Sequence, residues 1–446
     1  MRVKLIMLGK IRKIIPKSIK DRLRLFKIKL LDNPRKRKLG LHMQHKHKRF
    51  LSEIKGKEKV KVLFLVLHKS VWKVDPVFRE MLEDPLFEPE ILVCPYITYG
   101  EVQMLEDMEQ AFNYFKNKGY SVTKSLKDDG SWVTLKSIQP DVVFFTNPYK
   151  LTMYEYYENA YLNYLSCYVP YYYMATKHAG EDDAQFNSMF LLSVWKVYWA
   201  HDYSDKLHKK YAFNYGVNGF SFGYPATENL YQNKKHASFK SWKSQESLMK
   251  KVIFSPHHTI EDSSKSLSSF LEYGEYIKEL AIRNKDKIQW SFKPHSILKS
   301  KLYLNSNWGK DKTDAYYSFW DSQPYTQLDN GEYDDLFLES DAIIHDCSSF
   351  IVEYAFTRKP CLYLVNKNNL KGLLNEFGEG VMQTYFKARN VVEIESFIDD
   401  FLNDLFQVDS DKRTYFDGYV DKFYRNKLPS QRIVEDIKQS LGVISD

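Results

Sequence analysis

The residues of this 446-residue chain that could do chemistry recur at one kind of place, directly after an apolar run. His68 follows the run at 60–67 and His178 the run at 168–174. His257 and His258 follow 251–254, and Lys293 and His295 end the run at 288–293. Asp346-Cys347-Ser348-Ser349 follows Ala342-Ile343-Ile344, with Glu353 one turn further on. A single histidine after a strand is as a rule a structural hydrogen bonder. Five histidines in the same relation to apolar runs are harder to dismiss, because the carboxyl ends of parallel strands open on a common crevice.

Those residue types suggest a reaction class. If the substrate is a nucleoside diphosphate derivative, transfer at phosphorus or at an anomeric carbon requires a base for the acceptor alcohol and donors for the departing phosphate. His178 suits the base, since imidazole titrates near neutrality, with Glu181, Asp182 or Asp183 to orient it. The acids at 182 and 183 also suit an ordinary helix start. Lys293, His295, Ser348 and Ser349 supply phosphate donors, and His257, His258, Asp346 and Glu353 complete the candidate binding set. The chain contains neither GxxxxGK[ST] nor GxGxxG, which argues against a P-loop NTPase and a dinucleotide enzyme. Gly219-Phe220-Ser221-Phe222-Gly223 matches GxSxG as a string, but Tyr224-Pro225 follows where a nucleophile elbow needs a helix. Asp409-Ser410-Asp411 falls in a polar loop between the last two predicted helices, so no metal and no cofactor is expected.

The elements that must carry these residues alternate. Apolar runs at 60–67, 89–95 and 140–147 predict strands, separated by helices over 75–82 and 101–118. Further strands are predicted at 168–174, 197–200, 251–254, 288–293, 342–344 and 361–365. Asp346 to Ser349 reads as the cap of a helix starting at Phe350, a junction that aims backbone N–H groups at an anion. Helices over 392–406 and 431–441 close the chain. Alternating strands and helices imply parallel sheets, and the length implies two domains. The expected division is a basic arm at 1–58, a Rossmann-like domain at 59–240, a second at 241–390, and closing helices at 391–446.

Charge is distributed unevenly. Residues 1–50 hold 18 Lys or Arg against Asp21 and Asp32, a net +16, so the remainder is net −8 within the overall +8. Ser18 would cap a helix in which Ile19, Leu23, Phe26 and Leu30 share a face, and a second basic run begins at Arg35. An apolar stripe in a basic setting suits an anionic membrane surface, and no nucleic-acid module accompanies it. No run approaches the ~20 apolar residues of a membrane span, and the start is not a signal peptide. Cys94, Cys167, Cys347 and Cys361 lack CxxC spacing and read as reduced thiols.

Ser340-Asp341-Ala342-Ile343-Ile344-His345-Asp346-Cys347-Ser348-Ser349, with Glu353 and Lys359-Pro360, resembles the "S-D-x-x-I-T-D-Y-S-S" block of the CDP-glycerol glycerophosphotransferases of teichoic acid and capsule synthesis. Phe292-Lys293-Pro294-His295 is similar to that family's "R/K-x-H-P" segment, with Ser296 in place of proline. Phe222 to Leu230 is similar to "G-x-P-R-x-D-x-L", with Ala226 and Glu228 departing from it. Lys177-His178-Ala179-Gly180 occupies the place of "W-H-G-T", and Ser255-Pro256-His257-His258-Thr259 that of "A-P-T-x-R", with histidines replacing the usual residues.

The resemblance covers about residues 60–390. It implies a GT-B fold of two Rossmann-like domains, with the nucleotide held mainly by the second. It further implies metal-independent transfer of a polyol phosphate from CDP-glycerol or a related CDP-polyol to a polyprenol-linked or glycan acceptor, with CMP released. His178 would be the base, and His295, Ser348, Ser349 and His258 would hold the pyrophosphate, at the cytoplasmic face of a bacterial inner membrane. A GT-B glycosyltransferase using a nucleotide sugar and a non-enzymatic capsule-assembly scaffold are the competing readings. The oligomeric state is not legible in the sequence.

Overall fold

The computed structural model describes residues 33–177, 182–234, 241–261, 266–366, 372–406 and 410–442. Its first lobe is a seven-stranded parallel sheet of β1 (Val60–Val66), β2 (Phe87–Val93), β3 (Val122–Lys124), β4 (Val142–Phe145), β5 (Leu165–Tyr168), β6 (Lys196–Trp199) and β7 (Gly219–Ser221), in the order β3-β2-β1-β4-β5-β6-β7. The second lobe is a six-stranded parallel sheet of β8 (Lys250–Ser255), β9 (Ile288–Phe292), β10 (Thr326–Leu328), β11 (Ala342–His345), β12 (Cys361–Leu364) and β13 (Phe386–Ala388), in the order β10-β9-β8-β11-β12-β13. In each sheet the order reverses beside the first strand, between β1 and β4 and between β8 and β11. Loops part there, and a crevice opens beyond the strand carboxyl ends.

The central strands are apolar throughout because helices cover both of their faces. Val62, Phe64, Val142 and Phe144 are wholly buried, and the Phe64 and Phe144 rings stack at 4.6 Å. Truncating such a phenylalanine to alanine costs about 3–5 kcal/mol. In the second lobe Trp290 and Trp320 fill the equivalent space, with Phe292 stacked on Trp320 at 5.2 Å.

The helix Asn33–Ile54 lies on the first lobe and buries Met43, His47, Phe50 and Ile54, while Arg35, Arg37, Lys38, Lys48 and Arg49 face outward. The apolar stripe expected at 19–30 lies outside the described residues. At the other end, the helix Val391–Leu402 packs on the second lobe through Ile394, Phe397, Ile398 and Phe401. The chain then crosses back: the helix Ser410–Phe423 bridges the lobes, with Phe416 against Phe356 of the second and Tyr419 donating to the Ala200 carbonyl of the first, and Pro429–Ser440 packs on the first-lobe helix Asp75–Glu83. Lys196 on β6 donates to Asp436 at 2.6 Å, and the Tyr424 hydroxyl meets Thr227 at 2.8 Å. No described helix is long and apolar enough to cross a membrane.

Several sequence expectations shift. β3, β10, β13 and the helix Ser410–Phe423 are additions, and β5 ends at Tyr168 where a strand was expected to begin. Asp411 therefore sits in the first turn of a helix and not in a polar loop; Asp409 lies outside the described residues. The helix expected after Ser349 has only four residues, Phe350–Glu353, before it tightens into a 3-10 turn over Tyr354–Thr357. Ser349 itself is in the helical region at φ −66° and makes no side-chain capping bond, so it does not cap that helix.

Candidate active site

The carboxyl ends of the two sheets face each other across a cleft of about 660 Å³. From the first lobe come His68 and Lys73 after β1, Tyr96 after β2, Tyr149 after β4, and Tyr171 and Tyr172 after β5. From the second come Lys293 and His295 after β9, Gly331 after β10, and Cys347, Ser349 and Glu353 after β11. A hollow of about 820 Å³ lies beyond the amino ends of the second sheet's strands, beside Lys250, Asp286 and Asp341. Lys250 is there engaged with the Phe401 carbonyl and Asp404, and among the described residues no histidine lines it.

Lys293 is the best-positioned cation of the cleft. Its side chain is buried, donating to the Gly331 carbonyl at 2.7 Å and to Asp329 at 3.1 Å, with the Tyr333 ring 5.5 Å away. Burial lowers its pKa while Asp329 opposes that shift. Glu353 is 3% exposed, and burial raises its carboxyl. Lys73 stands 4.0 Å from it and donates to the Tyr333 hydroxyl at 2.7 Å, but Glu353 Oε2 has no hydrogen-bond partner. A buried acceptor left open at the wall of a cleft is costly unless something fills it.

His257, His258 and His295 come together because β8 and β9 are neighbours. The His295 N–H donates to the Pro256 carbonyl at 3.1 Å, which fastens one loop to the other. The ring centres lie 4.4 Å (His257 to His258), 5.3 Å (His257 to His295) and 4.2 Å (His258 to His295) apart. Burial, the neighbouring rings and Lys301 push His257 down to about 3 and His295 to about 4, while burial and Lys301 lower His258. His257 and His295 are therefore neutral at pH 7.

Asp346 lies behind this loop. Its carboxylate accepts from the His257 N–H at 2.6 Å and the Ser269 N–H at 2.5 Å, and burial nonetheless raises it to about 7. Both oxygens are thus committed to the protein backbone, and Asp346 holds the histidine loop in place. Ser349 is exposed in the cleft and Ser348 is half-buried beside it.

His178 lies outside the described residues. The backbone entering it is firmly placed, since the Lys177 N–H donates to the Leu373 carbonyl at 2.7 Å. Asp182 opens the short helix Asp182–Phe186. Lys73, Tyr333 and the tyrosines of the first-lobe wall were not picked out from sequence. Lys73 sits in a loop with no local motif, and in a chain with 33 tyrosines no single one stands out.

Neither a family model nor a curated protein matches the sequence. Solved structures do match the fold. A UDP-N-acetylglucosamine 2-epimerase superposes with a TM-score of 0.55 at 15% identity, covering 87% of this chain and 98% of that one. The wall teichoic acid polymerase TagF gives 0.53 at 14% identity, covering 96% and 99%. The UDP-GlcNAc 2-epimerase of Neisseria meningitidis, bound to UDP-GlcNAc, gives 0.52 at 15% identity, covering 85% and 100%. At these identities the likeness speaks for the fold: two Rossmann-like domains facing across a cleft, in the GT-B arrangement.

Proposed function

We propose that the chain is a transferase moving glycerol phosphate, or a related polyol phosphate, from CDP-glycerol or a similar CDP-polyol to a polyprenol-linked or glycan acceptor. The acceptor hydroxyl attacks the β-phosphorus and gives its proton to His178. The bond from that phosphorus to the bridging oxygen breaks, and CMP leaves. Lys293, His295 and Ser349 hold the pyrophosphate as negative charge builds on the departing oxygen. Glu353, buried in the cleft wall, holds Lys73 beside the donor site.

The observation that carries this reading is the seating of Lys293, His295 and Ser349 on one wall of the cleft, facing a first-lobe wall with Tyr96, Tyr149, Tyr171 and Tyr172. A cationic and hydroxylic wall suits phosphates, and an aromatic wall suits the faces of a sugar or polyol. The TagF likeness, which includes a TagF crystal soaked with CDPG, supports the CDP-linked donor. The outward basic face of Asn33–Ile54 supports attachment to the anionic surface where a lipid-linked acceptor would be met. Because nucleotide-sugar epimerases share the fold, a glycosyltransferase reading is the one to separate from this.

Calorimetry and product chromatography with CDP-glycerol, CDP-ribitol and UDP-sugars separate the two. Tight binding of a CDP-polyol with acceptor-dependent CMP release is expected. Binding of a UDP-sugar alone would transfer the assignment to sugar chemistry, and silence across the panel would favour the scaffold.

A further inference from the structure

We propose that His257, His258 and His295 bind a divalent transition-metal ion of the zinc type at the rim of the cleft. One nitrogen from each ring falls within 4.8 Å of the others. A tetrahedral ion with bonds of ~2.0–2.1 Å needs its ligand atoms about 3.4 Å apart, so the nitrogens must close by at most about 1.4 Å on binding.

The loops are built to hold that convergence. The His257 N–H is anchored on Asp346 at 2.6 Å, and the His295 N–H on the Pro256 carbonyl at 3.1 Å. His257 Nδ1 meets the Thr259 hydroxyl at 2.9 Å and accepts from the Thr259 N–H at 3.3 Å, and His295 Nδ1 accepts from the Ile297 N–H at 3.3 Å. Both rings are thus fixed, and each leaves Nε2, which gives up its proton on binding, to a ligand. On binding, the proton would pass to His257 Nδ1, which can then donate to the Thr259 hydroxyl as an outer partner. His258 Nδ1, by contrast, is buried with no hydrogen-bond partner, an expense that a metal bond would remove. Lys301, the cation nearest the cluster in its electrostatic effect, is itself paired with Glu261.

Three imidazoles leave a fourth position open, as in zinc sites that act on substrates and unlike closed structural ones. Since His295 also lines the cleft, that position is within the site's reach and suits an oxygen of water or of a phosphate, so that with the ion bound His295 would hold the pyrophosphate through the metal and not directly. This departs from the metal-independent chemistry that the sequence resemblance implied. Two of the three histidines stand where the resembled loop carries other residues.

The test is metal binding by the full chain in the absence of nucleotide. Purified protein stripped with chelator is titrated with Co²⁺, followed by its visible spectrum, and Zn²⁺ is measured by competition. One equivalent of Co²⁺ with the intense bands of a four-coordinate site is expected, displaced by Zn²⁺. His257→Gln and His258→Gln should each weaken binding at least 100-fold, and His42→Gln with His45→Gln, on the exposed face of Asn33–Ile54, should leave it unchanged. Thr259→Ala keeps all three ligands and should weaken binding about 10-fold, so the proposal stays testable if a histidine variant fails to fold. No Co²⁺ retained by the wild-type chain, or binding indifferent to His257→Gln and His258→Gln, would overturn it. Since no nucleotide is present, that failure is distinct from any failure of CDP-polyol turnover.

Discussion

Asn375 donates its side-chain amide to the Met174 carbonyl at 2.6 Å, while its side-chain oxygen accepts from the Gly378 N–H at 2.9 Å. One side chain therefore caps a helix of the second lobe and fastens the first-lobe loop that leads to His178. Met174 is held there at φ 53°, a left-handed conformation that a methionine adopts only under constraint. Asn375→Ala should cost about 1–3 kcal/mol, read as a lowered melting temperature, and reduce turnover more than it reduces donor affinity. Equal turnover per folded molecule would remove the loop from catalysis.

Gly378 makes a sharper test of the same junction. A Cβ at that position would lie 2.2 Å from the Ala175 carbonyl oxygen, a backbone atom that cannot swing away. Gly378→Ala should push the lobes or the loop apart and lower turnover by at least 10-fold. A variant with wild-type kinetics would show that the loop accommodates the shift.

Lys293→Met replaces a buried ammonium by an apolar chain of similar length. Its loss should weaken CDP-polyol binding roughly 10- to 100-fold, the range for one charged hydrogen-bond donor. Calorimetry reads this directly. His178→Ala should instead leave binding near wild type and abolish CMP release, as expected for a base.

Stability should depend on pH through Glu228. This carboxyl is buried, accepts from the Ser430 N–H at 2.7 Å and the Ser430 hydroxyl at 2.8 Å, and burial raises it from 4.5 to about 7. Above pH 4.5 the unfolded chain releases this proton while the folded chain keeps it until about 7. Stability therefore falls as pH rises through that window, by about 3 kcal/mol, and levels off beyond it. Glu228→Gln should remove this share of the fall and leave that of Asp346, as shown by a smaller difference between urea midpoints at about pH 5 and about pH 7.5 than in the wild type. Parallel profiles for the two proteins would assign the pH dependence elsewhere.

Membrane attachment can be tested without cutting into the core. Because Phe50 and Ile54 are part of the first lobe, deletion of residues 1–32 and neutral substitutions at Arg35, Lys38 and Lys48 are the appropriate variants. Each charge removed should weaken binding to anionic vesicles by about 1 kcal/mol, with little effect on neutral ones. Unchanged vesicle binding would reject this surface as the anchor.

What the sequence made legible follows from burial. β1, β4, β11 and β12 stand out as apolar runs because both of their faces are covered. β3, β10 and β13 are three-residue strands toward the sheet edges, too short to leave a period. The helix Ser410–Phe423 mixes Lys, Arg, Asp and Tyr with its buried residues and gives no clean stripe. At the site, strand-end histidines were visible by their repeated placement. The roles of Lys73 and Tyr333 depend on contacts between distant loops, which no local pattern encodes.

The return of the last helix to the first lobe bears on the order of events during synthesis. All the strands of the second lobe lie between Lys250 and Ala388, with their covering helix Val391–Leu402 directly after. The first lobe has its strands complete by Ser221 yet waits for Tyr424 to reach Thr227 and for Asp436 to reach Lys196. On the ribosome, the lobe that begins first is the one that finishes last. A chain stopped after Leu402 would leave Tyr173, Tyr224 and Lys196 uncovered, and the quality of the first lobe can be judged only once the whole chain has been made.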